Sequence, residues 1–261
     1  MSRALRVVVN ADDFGMDADT CAQTIRCMTE GAISSASIMP TMPASAQACD
    51  FARRHEEFSF GVHLTFVRDT CEEPAAAPHA IGTLVDRQGR FMSSHKVRLR
   101  ALAGRIDASH VAVEVEAQLA RVRDFGVRVS HVDSHGHLHK FPVFQRALED
   151  VLPRFGVQRV RNQQNVYARR AWRSPAYWLA KTWRPVADGP WRTTDWFFMP
   201  AGDGVRDWPE WLLAQRRSGS LEVGVHPGSA EGWRAAERDA ARRLKALLDD
   251  RRIPLVSWRE V

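Results

Sequence analysis

Four short, β-prone apolar runs in this chain lead into an aspartate or a histidine. Residues 5–9 run through Asn10 into Ala11-Asp12-Asp13-Phe14-Gly15, and residues 58–62 lead into His63. Residues 127–132 lead into Asp133-Ser134-His135, and residues 221–225 into His226-Pro227-Gly228. Ionisable groups at such places are costly unless partners meet them, yet these lie far apart along the chain. Parallel strands resolve the problem, because their C-terminal ends share one face, where α/β folds carry their active sites. The placement of these residues therefore predicts a parallel sheet with a single functional face.

The rest of the pattern agrees. Strands are expected at residues 5–10, 34–39, 58–65, 127–133, 157–161, 195–199, 221–226 and 253–258. Helical spacing falls at residues 17–30, 44–55, 110–125, 143–155, 208–217 and 235–248, with Asp17 as a cap and Gly31 and Gly126 as stops. Strands alternating with helices predict an α/β fold, either closed into a barrel or doubly wound. Two excursions interrupt the alternation, at about 68–109 and 162–194. Neither reads as a linker, and no repeat is evident, so one domain is expected over 1–261.

Composition narrows the classes. A chain of 261 residues with 44% hydrophobic content supports a sizeable core. No apolar stretch reaches the ~18–20 residues of a membrane span, and the N-terminus lacks a secretory signal pattern, so a cytoplasmic protein is expected. Cys21, Cys27, Cys49 and Cys71 show no metal-type spacing and read as reduced, mostly buried thiols. The net charge of +6 is uneven: residues 153–187 hold eight Lys or Arg and no Asp or Glu. Trp172, Trp178, Trp183, Trp191 and Trp196 fall in or beside that stretch. Basic residues among tryptophans suit an anionic membrane surface, a lipid-linked anion or a nucleic acid, with a packed insertion as the plainer reading.

The chemistry rests on two clusters. Two adjacent acids, Asp12 and Asp13, allow one to hold a metal while the other handles a proton. Four of the ten histidines fall within residues 131–139. A carboxylate with two imidazoles is a common catalytic ligand set that leaves room for water, which assigns Asp13, His63 and His135 to a divalent ion. Imidazole ligands suit zinc or another first-row metal better than calcium. Along an extended segment alternate residues share a face, so His131, Asp133 and His135 point together, or His135, His137 and His139 do. Asp133 is a candidate to hold the second ring N–H of a ligand histidine. His137 and His139 read as packing or substrate-wall residues. The combination predicts a metal-dependent hydrolase.

Four segments carry a family resemblance: Asn10-Ala11-Asp12-Asp13-Phe14-Gly15, Gly61-Val62-His63-Leu64, the His131–His139 stretch, and Val225-His226-Pro227-Gly228. Together they resemble the YdjC-like carbohydrate deacetylases, a group with chitooligosaccharide and hopanoid-associated members, from near the N-terminus to Gly228. The resemblance implies a distorted, TIM-barrel-like (β/α) barrel that removes the N-acetyl group from an amino sugar with one divalent metal ion, zinc or magnesium. By position it makes Asp13, His63 and His135 the metal ligands, Asp12 the base, and His226 the histidine near the leaving group. Arg161 matches an arginine near the site and, with the metal or a backbone N–H, is a candidate to stabilise the oxyanion. Asp133 and His131 are expected behind these residues or against substrate. Gly136 departs from the pattern, since many relatives carry histidine there, and is expected to open the pocket locally. Some members act on polyprenyl-phosphate-linked sugars, which would suit the basic, Trp-rich segment and a peripheral contact with anionic membrane; no specific nucleic acid is implied. Two alternatives stand beside this reading. One is a metal-dependent phosphoesterase or nuclease on a similar barrel, although many of those open with paired histidines where this chain has Asp12-Asp13. The other is a non-catalytic sugar- or lipid-binding barrel, which has no positive support in a chain that keeps both acids and the matched histidines.

Overall fold

The computed structural model describes residues 3–168, 178, 181–200 and 207–261. Among these residues six strands form one sheet: β1 (Arg6–Phe14), β2 (Ser35–Ile38), β3 (Ser59–Leu64), β4 (Val129–Ser134), β5 (Trp196–Phe198) and β6 (Ser220–Val225). Their order is β4-β3-β2-β1-β6-β5, and every pairing is parallel. Helices α1 (Ala18–Thr29), α2 (Ser45–Arg54), α3 (Ser94–Leu102), α4 (Ala108–Asp124), α5 (Pro142–Val151), α6 (Trp208–Ala214) and α7 (Gly232–Asp250) connect and surround the sheet. The result is a curled, barrel-like α/β fold. Its strands are buried on both faces, as all-parallel sheets require, and β1 at the centre is interior along nearly its whole length.

Two of the eight expected strands are not strands. Residues 157–161 and 253–258 make isolated parallel bridges instead, Val132↔Val160 and Val7↔Leu255. In the second, Pro254 has no N–H to offer a ladder, although its carbonyl accepts from Val7 at 3.0 Å. The first matters more for architecture. Bridges Val132↔Val160 and Val166↔Phe198 carry one segment from β4 across to β5. The two outer strands of the sheet are thus joined by an irregular seam rather than by a further strand.

Neither excursion is a loose loop. Within residues 68–109 the chain forms α3 and buries Ile81, Leu84, Phe91 and Val97. In the Trp-rich region Trp183 packs on Phe141 with ring centroids 4.6 Å apart, and Trp191 and Trp196 also pack against the core. Trp178 is exposed, and Trp172 lies outside the described residues. Cys21, Cys27 and Cys49 are buried and Cys71 is exposed, all as free thiols. Among the described residues no helix is long and apolar enough to cross a membrane.

Glycine at position 61 shows how tightly the interior is filled. A Cβ there would lie 2.6 Å from the His131 ring, which stacks on Trp258 at 4.8 Å and an interplanar angle of 13°. His131 is fully buried, and burial pushes its pKa down to about 3 against the opposing pull of Asp133. His131, expected behind the ligand residues or against substrate, is a buried packing residue beneath the cleft and does not line it.

Candidate active site

Neighbouring residues on a strand face opposite ways, so a regular β1 would send Asp12 and Asp13 to different faces. The strand breaks that rule with a bulge. Its register with β2 shifts between Ala11 and Phe14, and Asp13 adopts a left-handed backbone with φ of 58°. Aspartate tolerates this conformation better than most residues, and bulges re-aim side chains next to active sites. Both acids consequently line one cleft of about 670 Å³, together with His63, His135, His137, His226, Trp233 and Arg234 among others.

Asp13 is the hub. Its Oδ1 lies 3.4 Å from His63 Nε2 and 3.2 Å from His135 Nδ1, and its Oδ2 accepts from Arg234 Nη2 at 2.8 Å. One donor atom each from Asp13, His63 and His135 falls within a 4.8 Å set. Burial opposes its ionisation, but the His135 hydrogen bond and the surrounding histidines hold its carboxyl well below the usual range. His63, near the end of β3, is fixed from behind, because Asp133 Oδ1 meets its Nδ1 at 2.8 Å. Burial would lower the His63 pKa, yet Asp133, with Asp12 and Asp13 beyond it, raises it to about 9. Nε2 of His63 is left facing Asp13, the arrangement in which a carboxylate orients a ligand imidazole.

Asp12 is held differently. Arg161 grips it with both terminal nitrogens, each 2.6 Å from a carboxylate oxygen, and Asn10 Nδ2 donates to Oδ1 at 2.9 Å. The same guanidinium reaches Asp133 at 2.7 Å and Glu222 at 2.8 Å, and lies over the Phe197 ring at 4.8 Å. Arg161 is completely buried and does not line the cleft. Its expected part in stabilising an oxyanion is corrected on that ground: its nitrogens are committed to three carboxylates, and it clamps Asp12 from beneath. Burial works against its charge, but Asp12, Asp133 and Glu222 hold its pKa well above the ordinary value. Glu222, buried with them, is pushed up to about 7 by desolvation despite Arg161.

His226 follows β6 at the cleft. Glu237 Oε2 accepts its backbone N–H at 2.8 Å and contacts its Nδ1 at 3.0 Å. Burial lowers the His226 pKa, but the Glu237 hydrogen bond and the charge of Asp13 outweigh it and raise the value. The glycine of the Val225-His226-Pro227-Gly228 segment has a steric reason: a Cβ at Gly228 would stand 2.9 Å from the Arg234 stem.

Past β4 the chain makes a tight 3₁₀ turn, His135–Lys140, with left-handed Gly136 and His137. Gly136 does not open the wall as expected, because Arg98 Nη2 occupies the space and donates to its carbonyl at 3.0 Å. His139 is buried against Ser134 Oγ at 2.7 Å, whereas His137 lines the cleft near Met199. The structure thus brings together Asp12, Asp13, His63, Asp133, His135, Arg161 and His226, and leaves His131 aside. Sequence reasoning missed Asn10, Glu222, Arg234 and Glu237, and with them Ser37, whose hydroxyl donates to Asp133 Oδ2 at 2.9 Å. Glu222, an acid inside the apolar run 221–225, carried a readable signal, and so did Arg234 and Glu237, charged residues on the buried stripe that α7 continues through Ala241, Leu244 and Leu248.

A curled parallel sheet with an Asp–His–His cluster beside an arginine-clamped acid defines a barrel-like α/β protein with a candidate metal site. The chain belongs to the YdjC-like protein family, which it matches over residues 6–253. It is 32% identical over 148 residues to a "Carbohydrate deacetylase" of Geobacillus stearothermophilus, covering 57% of this chain and 56% of that one. A second protein so named, from Halalkalibacterium halodurans, is 26% identical over 226 residues, 85% of each chain. The first curated relatives are matched over only about half to two thirds of their own length. Among solved structures, a candidate cellobiose-phosphate cleavage protein of Enterococcus faecalis shares the fold, with a TM-score of 0.77, 21% identity and 99% coverage of both chains.

Proposed function

We propose that this protein is a metal-dependent hydrolase that removes the N-acetyl group from an amino sugar and releases acetate. The observation that carries the reading is the division of labour at the bulge: Asp13 converges with His63 and His135, while Asp12, which with His63 and Asp133 makes a second close-packed donor group, has both carboxylate oxygens and Asp133 Oδ2 taken by Arg161. The naming of the relatives as carbohydrate deacetylases supports the substrate class. The half-exposed Trp233 at the cleft, 45% accessible, offers an aromatic face to a sugar ring.

The donor set of one carboxylate oxygen and two imidazole nitrogens fits zinc or a similar first-row ion. Such an ion supplies Lewis acidity toward the amide carbonyl and the attacking water. The remaining steps belong to the chain. Asp12 accepts the proton of that water as it attacks, its carboxylate kept in one orientation by the two-pronged Arg161. His226, its Nδ1 engaged by Glu237 and its pKa raised, gives a proton to the departing amine.

The test is a mass-spectrometric screen for a 42 Da loss across N-acetylhexosamines, with chelation and Asp12→Asn as controls. Elemental analysis of Asp13→Ala and His135→Ala checks the metal set; full occupancy in both would remove it. Phosphate release without acetate release would replace this reading with a phosphoesterase. A polyprenyl-phosphate carrier on the sugar is the finer form of the proposal, supported by the basic segment and exposed Trp178. Including lipid-linked sugars in the screen, and sedimentation with anionic liposomes, decides it.

A further inference from the structure

Hydrolysis of an amide places negative charge on the acyl oxygen, and enzymes meet it with fixed donors aimed at that position. Arg161 cannot serve, since its guanidinium is enclosed by three carboxylates. Arg98 lines the cleft but is exposed and tied to the Gly136 carbonyl. Arg234 is different. It lines the cleft with a side chain only 7% exposed. Its Nε donates to Glu231 at 2.8 Å and its Nη2 to Asp13 at 2.8 Å, while Nη1 is buried with no hydrogen-bond partner. Buried donors are rarely left unmatched in native proteins, and this one sits on a cation beside the reactive cluster.

The guanidinium is also held rigidly. Its stem packs against Gly228, where no side chain would fit, and its plane lies over Trp233 at 4.5 Å. Nη1 and Nη2 share one carbon, so the unmatched nitrogen stands next to the one that grips Asp13. Because Nη2 occupies Asp13 Oδ2, the carboxylate presents Oδ1 to the histidines.

We propose, on the deacetylase reading above, that Arg234 is a catalytic residue whose Nη1 donates hydrogen bonds to the substrate's acyl oxygen as that oxygen gains charge. When the water oxygen bonds to the carbonyl carbon, the C=O π pair moves onto the acyl oxygen and Asp12 takes a water proton. On collapse that pair re-forms C=O, the C–N bond breaks, and its electrons take the proton from His226. Acetic acid then ionises, and the proton on Asp12 replaces the one His226 gave up.

The experiment compares zinc-loaded wild type, Arg234→Lys and Arg234→Ala in turnover, zinc titration and sodium acetate titration by calorimetry. The Lys variant keeps a cation for Asp13 but not the second donor nitrogen. Both variants are expected to lose about 100-fold or more in kcat, with KM changed less than about threefold and zinc still bound. Added guanidinium is expected to restore part of the Arg234→Ala rate, and both variants should bind acetate at least tenfold more weakly. A loss repaired by excess zinc, or confined to KM, would overturn the proposal by reducing Arg234 to a support for Asp13. Acetate affinity equal in all three proteins, or no acetate binding by wild type, overturns it too. If wild type turns over no acetylated sugar, the deacetylase reading falls, and the acetate titration still decides the role of Arg234.

Discussion

Replacing Arg161 with methionine tests the electrostatic core of the site. The guanidinium is fully buried and contacts Asp12 at 2.6 Å, Asp133 at 2.7 Å and Glu222 at 2.8 Å. Methionine fills much of the stem's volume but strands three buried carboxylates. Breaking a buried pair from one side costs about 3–5 kcal/mol, because the remaining charge is left uncompensated. The three acids do not triple that figure, since Asp133 keeps His63 and Asp12 keeps Asn10, protons can be taken up instead, and Glu222 is already raised to about 7 with the arginine present. For a chain of this size ~1 kcal/mol shifts the melting temperature by roughly 2–4 °C, so a fall of roughly 6–20 °C is expected. The pH dependence carries the stronger signature. In wild type Asp133 is held well below the usual carboxylate range, so its contribution is present above the unfolded pKa and is lost in acid. In the variant the acids titrate higher, and protonating them relieves the penalty. The gap between the two proteins should therefore narrow from pH 8 to pH 5, as measured by circular dichroism melts. Adding Glu222→Gln to the variant should recover part of the loss. A melting temperature within 2 °C of wild type, or a gap that does not change with pH, would refute the reasoning.

Three further outcomes follow from the same geometry. His63, raised to about 9 without an ion, stabilises the metal-free protein fully below its unfolded pKa, and that contribution disappears as pH rises through about 9. An ion must displace its proton, so zinc affinity should fall as pH drops below about 9, with about one proton released per ion in calorimetry across buffers of different ionisation enthalpy; pH-independent affinity with no proton release contradicts this. Glu237→Gln removes the carboxylate that raises the His226 pKa, so the alkaline limb of the kcat/KM profile should move to lower pH; an unmoved limb denies His226 the acid role. Gly61→Ala drives a methyl into the His131 ring pinned on Trp258, and chemical denaturation should register a loss of about 1–3 kcal/mol; unchanged stability would mean that the stack yields freely.

Much of this was legible in the residues because each signal was local. Apolar runs of strand length ending at Asp12, His63, Asp133 and His226 mark the sheet and its functional end, since burial on both faces demands continuous hydrophobicity. The capping signal at Asp17 likewise marks the start of α1, where its side chain accepts the Thr20 N–H at 2.8 Å. What escaped depends on three dimensions. The bulge at Asp13 requires a backbone state that aspartate tolerates but does not announce. Arg234 and Glu237 lie three residues apart on the buried stripe of α7, where periodicity tells that two charges face inward and not which acid or histidine meets them. The five tryptophans signalled an aromatic surface, whereas Trp183, Trp191 and Trp196 spend their area on packing, which composition alone cannot separate from display.

The seam between β4 and β5 couples the edges of the sheet to its centre. Arg161 sits in the segment that bridges the two outermost strands, one residue beyond the Val132↔Val160 bridge, yet the acid it clamps lies on the central strand. Asp12 is therefore clamped by a residue of the seam as well as by Asn10 of its own strand. Without the seam Asp12 would lose its counter-ion, and Asp133 would keep only Ser37 and His63. The orientation of an acid on the central strand thus depends on contacts at the sheet's outer edges, far from it along the chain.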